Sequence, residues 1–236
     1  MSVRRNHLQQ YQKANNPWHD AEKYKFIPAY FLLELLRCLI LSSQIPPMPM
    51  LTNLTLYVSL TFFVSEVVLS LIRKSKTGET KIQQDRNTLR LLWVVILVAM
   101  IAGTRIGFMF PRETPYATLR WSGLGVFIAG FVLRWSAILQ LGKGFTVDVS
   151  IGKEHQLMQS GLYSYIRHPS YLGLVLEFLG YALLINSWYP LVIINVPVFI
   201  ALHHRMNVEE ALLTEHFGTA YQQYMQRTKR LVPFLY

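Results

Sequence analysis

Apolar runs of nearly membrane-crossing length follow one another along this chain with little between them, and no other feature restricts its fold so tightly. The runs Leu51 to Ile72, Leu89 to Phe110 and Leu119 to Leu141 each approach the roughly 20 apolar residues a helix needs to cross the hydrocarbon layer. An earlier run, Phe26 to Ser43, follows a polar, basic leader and stops at Ile45-Pro-Pro-Met-Pro49. Two shorter runs, Tyr171 to Ile185 and Leu191 to His203, are separated only by Asn186-Ser187-Trp188-Tyr189-Pro190 and read as a tight hairpin of short or tilted passes. The expected fold is all-α: a polytopic membrane protein with about six transmembrane helices, the last two forming a hairpin. The runs leave no room for a separate globular core, so residues 1–236 are expected to form one domain.

Composition agrees, since 52% of the residues are hydrophobic and only 15% charged, too apolar a balance for an ordinary soluble domain. The net charge of +10 would suit nucleic acid if it lay along one face, but its basic residues sit in separate loops beside the apolar runs. Arg4, Arg5, Lys13, Lys23 and Lys25 precede the first run, and Arg73, Lys74, Lys76, Lys81, Arg86 and Arg90 lie between or flank the second and third. Residues 45–50 and the Asn186 to Pro190 turn carry none, and Pro111 to Thr118 carries only Arg112. By the positive-inside rule, both termini and the Gly142 to Ser170 segment face the cytosol, with anionic lipid headgroups as a further attraction for the charge. Arg4-Arg5 is not followed by an apolar stretch with a small-residue cleavage site, so no removal of a leader is expected. Cys38 lies within an apolar run and reads as packing, and Pro233-Phe-Leu-Tyr236 is not a prenylation box. His203 and His204, adjacent on a helix and pointing apart, do not make a metal site.

Against this apolar background, Gly161-Leu-Tyr-Ser-Tyr-Ile-Arg-His-Pro-Ser-Tyr-Leu-Gly173 places a polar cluster directly before a membrane run. Pro169 suits the first position of a helix, where its missing N–H costs nothing and the N–H groups that follow are expected to be free. The carboxylate of an amino-acid-like cofactor could dock there, with His168 and Tyr171 as further donors and Tyr163 as an aromatic surface for an adenine or a sulfonium. An interfacial helix cap anchored by tyrosines accounts for the same residues equally well.

Charges inside the runs are the other place to look for function. Glu34 and Arg37, three residues apart, are expected to satisfy one another, and Arg105 and Arg120 lie near enough to helix ends to snorkel. Glu66, Arg134 and Glu177 lie deeper, lining a cavity or pairing between helices. Arg205 and Glu209 are one turn apart where the last run re-enters the cytosol, a spacing that alone indicates no more than a surface ion pair.

Taken together, His155-Gln-Leu-Met158, Gly161-Leu-Tyr163, Arg167-His-Pro-Ser-Tyr171, Gly173, Arg205, Glu209-Glu210, Phe217-Gly218 and Tyr221 resemble the isoprenylcysteine carboxyl methyltransferases. The motifs occur in the family's order from about Arg134 onward, and the combination is specific where any one of them is weak. The first helices resemble the family only in being membrane spans. The resemblance implies an S-adenosylmethionine-dependent enzyme that methylates the carboxylate of a prenylated cysteine, with residues 1–118 as N-terminal helices and 119–236 as the catalytic half. It implies cofactor contacts at His155, Gln156, Leu157, Met158, Tyr163, His168, Pro169, Ser170, Tyr171 and Glu209, with Arg205 and Glu209 as catalytic residues. Arg205 and Arg134 would serve the substrate. The implied partners are a prenylated protein or lipidic small molecule and membrane lipids. The implied location is a multi-pass membrane position with its site facing the cytosol, at the endoplasmic reticulum in a eukaryote.

The chain departs from the family at Asp148, where those enzymes have a glutamine, and Gly144 to Gly152 looks more like broader relatives that methylate other small or lipidic substrates. A phospholipid or small-molecule methyltransferase on the same fold is therefore one alternative. An NADPH-dependent sterol-type reductase shares an Arg-His-Pro-like region but lacks a reason for Arg205, Glu209-Glu210 and Tyr221. A membrane transporter draws support from Glu66, Glu177 and Arg134 but leaves the cytosolic motifs unexplained.

Overall fold

A computed structural model describes residues 49–72, 83–110, 117–142 and 157–232, and every regular element longer than one turn among them is helical. Helix α1 spans Pro49–Ile72, α2 Gln83–Met109, α3 Ala117–Leu141, α4 Pro169–Leu184, α5 Trp188–Phe217 and α6 Thr219–Arg227. The second to fourth apolar runs coincide with α1 to α3. The run at 26–43, with Glu34, Arg37 and Cys38, lies outside the described residues. Asn87–Met109, Thr118–Leu141 and Trp188–Phe217 are each long and apolar enough to cross a membrane, while Asn53–Leu69 and Pro169–Leu184 are shorter apolar helices. The chain is a multi-pass membrane protein.

Helix α3 packs along α4 and α2 along α5, with α4 also against α5. The α3 seam is legible in its sequence: Gly123, Phe127, Gly130, Arg134 and Ala137 recur at alternating spacings of four and three and are all buried. Two glycines of this seam meet two of α4. A Cβ added at Gly130 would lie 2.6 Å from the Gly173 carbonyl oxygen, and one at Gly123 would lie 2.8 Å from that of Gly180. Backbone thus meets backbone at both places, as small residues permit between membrane helices. Gly125, on another face of α3, has open space around it.

Two buried charges of the spans pair between helices. Arg134 on α3 meets Glu66 on α1 through Nη2 at 2.7 Å and Nε at 2.9 Å. Its Nη1 donates to the Ser170 carbonyl, 3.3 Å away at the start of α4. Glu177, one turn below Gly173, is fully buried, and neither carboxyl oxygen has a hydrogen-bond partner among the described residues. The Tyr181 hydroxyl lies 3.2 Å from Ser59 Oγ and 2.9 Å from Thr104 Oγ1, joining α4 to α1 and α2.

Helix α4 ends where Asn186 adopts φ 57°, a left-handed conformation that asparagine tolerates better than most residues. Ser187 then donates its hydroxyl to the Phe110 carbonyl at 2.8 Å, tying this turn to the end of α2. Helix α5 continues well past His203, where the apolar run stops. Its 30 residues extend about 45 Å, against a hydrocarbon layer of about 30 Å, so its last turns project beyond the membrane. Polar residues mark the exit from lipid but do not end the helix, because Met206, Val208 and Leu212 still bury apolar surface there.

Candidate active site

The projecting end of α5 meets the Arg167-His168-Pro169 corner, and each side of this junction is positioned by its own local structure. Upstream of the corner, Gly161 takes φ 60° to open a short 3₁₀ turn, Gly161–Ser164. Gln140 of α3 anchors that turn: its Oε1 accepts from the Leu162 N–H at 3.0 Å, and its Nε2 donates to the Ser160 carbonyl at 3.3 Å. Tyr163 is buried, its hydroxyl donating to the Ala137 carbonyl at 3.3 Å and its own carbonyl accepting from the Tyr224 hydroxyl at 2.6 Å. Burial, then the nearby Glu209 carboxylate, push the Tyr163 hydroxyl well above its ordinary pKa.

Pro169 occupies the first turn of α4 as expected. The N–H groups after it are less free than expected. Those of Tyr171 and Leu172 both close on the His168 carbonyl at 3.1 Å, because the residue capping a helix lends its carbonyl to the first turn. The helix start is therefore partly occupied by its own backbone, and the polar groups around it are mainly side chains.

Those side chains form a connected set. Arg205, buried on α5, donates from Nε to the Tyr171 hydroxyl at 2.9 Å, and that hydroxyl donates to Glu209 Oε2 at 2.7 Å. Tyr171 therefore bridges the two residues that helical spacing had placed one turn apart. Arg205 Nη1 also donates to Thr88 Oγ1 of α2 at 3.3 Å. The His168 ring stacks on Tyr171, centroids 5.3 Å apart and planes at 12°. His168 is buried, whereas the Glu209 side chain retains 23% of its exposure and leaves acceptor capacity open to a cation.

A second set lies behind the first. Glu210 Oε1 accepts from Arg167 Nε at 2.8 Å and lies 3.2 Å from His168 Nε2, while Oε2 accepts from Arg230 Nη2 at 2.6 Å and Nε at 3.0 Å. Glu210, Arg167 and Arg230 are absent from the cofactor, substrate and catalytic contacts expected from sequence, although Arg167 and Glu210 belong to the motif series. Glu210 carried a usable signal: neighbours on a helix point about 100° apart, so if Glu209 faces Tyr171, Glu210 must face other groups. Nothing in the sequence singles out Arg230 in the tail.

Among the other expected site residues, Leu157 and Met158 lie partly exposed ahead of the 3₁₀ turn, and the Met158 sulfur accepts from the Ser160 hydroxyl at 3.3 Å. Ser170 supplies its carbonyl to Arg134, whose guanidinium is engaged with protein groups. His155 and Gln156, like Asp148, lie outside the described residues.

The fold and this junction define a helical membrane protein with a charged, hydrogen-bonded site at one end of its helices. The sequence profile of the isoprenylcysteine carboxyl methyltransferase family matches residues 123–215, which include α4, most of α5 and the Arg205-Tyr171-Glu209 set. A protein-S-isoprenylcysteine O-methyltransferase of Schizosaccharomyces pombe is 31% identical over 51% of this chain and 52% of its own length. The Arabidopsis thaliana protein-S-isoprenylcysteine O-methyltransferase B is 34% identical over 48% and 58%. The chain thus spans little more than half the length of these curated relatives. A solved structure of the eukaryotic intramembrane Ras methyltransferase ICMT, determined without a monobody, superposes with a TM-score of 0.58 at 25% identity, covering 88% of this chain and 75% of that one. The resemblance carried by the motif series is borne out in both sequence and fold.

Proposed function

We propose that this protein is an S-adenosylmethionine-dependent methyltransferase that esterifies the C-terminal carboxylate of an isoprenylated cysteine at the cytosolic face of a membrane. The observation that carries this reading is the Arg205-Tyr171-Glu209 set, which puts a guanidinium and a partly open carboxylate at the end of a membrane helix. These groups fit the cofactor's charges. Glu209 suits its ammonium, the stacked His168 and Tyr171 rings offer an aromatic wall, and Leu157 and Met158 offer apolar surface. His155 and Gln156 complete the contacts that the resemblance implies, with Tyr163, Pro169 and Ser170 shaping the wall behind them.

When bound, S-adenosylmethionine supplies a methyl group on a cationic sulfonium. Arg205 orients the acceptor carboxylate, which is already ionised at neutral pH and needs no strong base. Tyr171 limits the strength of that grip, since it already occupies Nε of Arg205 and holds the guanidinium in one plane. Arg134 serves the same site by fixing the Ser170 carbonyl at the start of α4. Apolar helices beside the junction accommodate the prenyl chain and exclude water around the carboxylate, which raises its reactivity toward the sulfonium. Counting the run at 26–43, the chain makes six passes, the last two as a hairpin, with the site on the cytosolic side and at the endoplasmic reticulum in a eukaryote.

The test is to purify the protein in detergent, compare binding of S-adenosylmethionine with that of NADPH, and assay methyl transfer to a farnesylated cysteine analogue. Saturable binding of the first and formation of a base-labile methyl ester are expected. Absence of S-adenosylmethionine binding would remove the reading, and binding without esterification would leave the cofactor site but reject this acceptor.

A further inference from the structure

The segment after α6 does not trail away from the molecule. Lys229 pairs in parallel with Ile166, and the N–H groups of Arg167 and His168 donate to the Lys229 and Arg230 carbonyls at 2.8 and 3.0 Å. Arg167 Nη1 donates to the carbonyls of Met225, at 3.2 Å, and Thr228. Leu231 is buried beside them. This segment thus completes the backbone pairing of the corner that holds His168.

One carboxylate links the two. Glu210 takes Arg167 and His168 from the corner on Oε1 and Arg230 from the tail on Oε2, with its side chain only 6% exposed. A carboxylate between two guanidinium groups is an acceptor only, so the His168 nitrogen facing it, Nε2, must carry the proton. The other nitrogen, Nδ1, then points toward Glu209, whose Oε2 lies 3.9 Å away. The orientation of the ring that stacks on Tyr171 is therefore set at its Nε2 edge by Glu210.

We propose that Glu210 is a positioning residue: it docks the tail at 228–231 onto the Arg167-His168 corner and fixes the His168 ring, so that the cofactor site is assembled only while the tail is docked. This rests on the reading of the junction as a methyl-donor site, but tail docking is observable without the cofactor. Arg227, Lys229 and Arg230 are trypsin sites, and docking shields the last two through the backbone pairing with Ile166, Arg167 and His168.

The experiment compares wild type, Glu210→Gln, Arg230→Met and the double variant, as full-length protein in detergent. It measures tryptic cleavage after Lys229, a shielded site that every variant keeps, without cofactor, together with the Kd for S-adenosylmethionine and thermal stability. Loss of charge-assisted hydrogen bonds predicts at least about tenfold faster cleavage and about tenfold weaker binding for Glu210→Gln. Arg230→Met removes one partner at a more exposed position and should shift both readouts in the same direction by a smaller factor, while remaining folded. The double variant should be no worse than Glu210→Gln alone, because the shared contact is already broken. Wild-type cleavage rates in both single variants, or faster cleavage with an unchanged Kd, would overturn the proposal. If the wild type binds no S-adenosylmethionine, the functional reading fails by itself and the cleavage data still decide whether Glu210 docks the tail.

Discussion

Replacing Gly173 by alanine should destabilise the protein, although the same change at Gly125 should stabilise it. The added Cβ at Gly173 would lie 2.7 Å from the Arg134 nitrogen, the Arg134 Cβ and the Gly130 carbonyl oxygen. That is about 0.7 Å inside the 3.4 Å at which ordinary contact begins, and two of the three obstacles are backbone that no rotamer change can move. Forcing a methyl group into such a packed seam costs about 1–3 kcal/mol, against a gain of up to about 1 kcal/mol from alanine's higher helix propensity. Because backbone obstacles place the cost in the upper part of that range, the net loss is about 1–2 kcal/mol, a fall of roughly 2–8 °C in Tm for a chain of this size. At Gly125 nothing lies within 4 Å of the new methyl, so only the propensity gain remains and Tm should rise by up to about 4 °C. Tryptophan fluorescence followed through thermal unfolding in detergent reads both variants, with Trp121 and Trp135 on α3 itself. Gly173→Ala melting at or above Gly125→Ala would refute the claim that α3 and α4 meet at backbone contact. Separation of these helices would also draw the Ser170 carbonyl away from Arg134, so weaker cofactor binding should accompany the lower Tm.

Other substitutions test the site and its support. Arg205→Lys keeps the charge but loses the planar fork, and turnover should fall about tenfold or more while S-adenosylmethionine binding changes little; an equal loss in both would reassign Arg205 to the cofactor. Glu209→Ala should show the opposite pattern, with cofactor affinity falling most, as read by calorimetry. Tyr171→Phe removes the hydroxyl that joins Arg205 to Glu209 while keeping the stack on His168, so kcat/KM should drop about tenfold and loss of the buried hydrogen bonds should lower Tm by a few degrees. Glu66→Gln leaves Arg134 buried without its carboxylate and should cost about 3–5 kcal/mol in detergent unfolding, whereas Glu66→Gln combined with Arg134→Met should recover part of that loss.

The all-helical membrane class was legible in the sequence because lipid crossing demands long apolar runs, and that demand acts on each run separately. The glycines of α3 were legible as well: Gly123 and Gly130 share one helical face with Arg134, and Gly125 lies off it. Their partners were not. Reciprocal glycine contacts with Gly173 and Gly180 depend on the register of α3 against α4, which no local pattern records. The motif order identified the family resemblance and brought Tyr171, His168, Arg205 and Glu209 to notice, yet spacing alone made Arg205 and Glu209 a simple ion pair. The fold inserts the Tyr171 hydroxyl between them. The apolar run stops at His203 but α5 runs on to Phe217, since polarity reports the membrane boundary rather than the end of the hydrogen-bonded helix.

The sequence by itself determined what each segment is: which runs enter the lipid, which end of them is polar, and which residue types gather there. Only the tertiary structure decided which charges are working groups and which are supports. Arg134 is committed to Glu66 and Ser170, and Glu210 to Arg167, His168 and Arg230, while Glu209 keeps an open face. Those assignments depend on contacts between residues up to 68 positions apart, and a carboxylate's role is set by the cations that reach it across such distances, not by its neighbours in the chain.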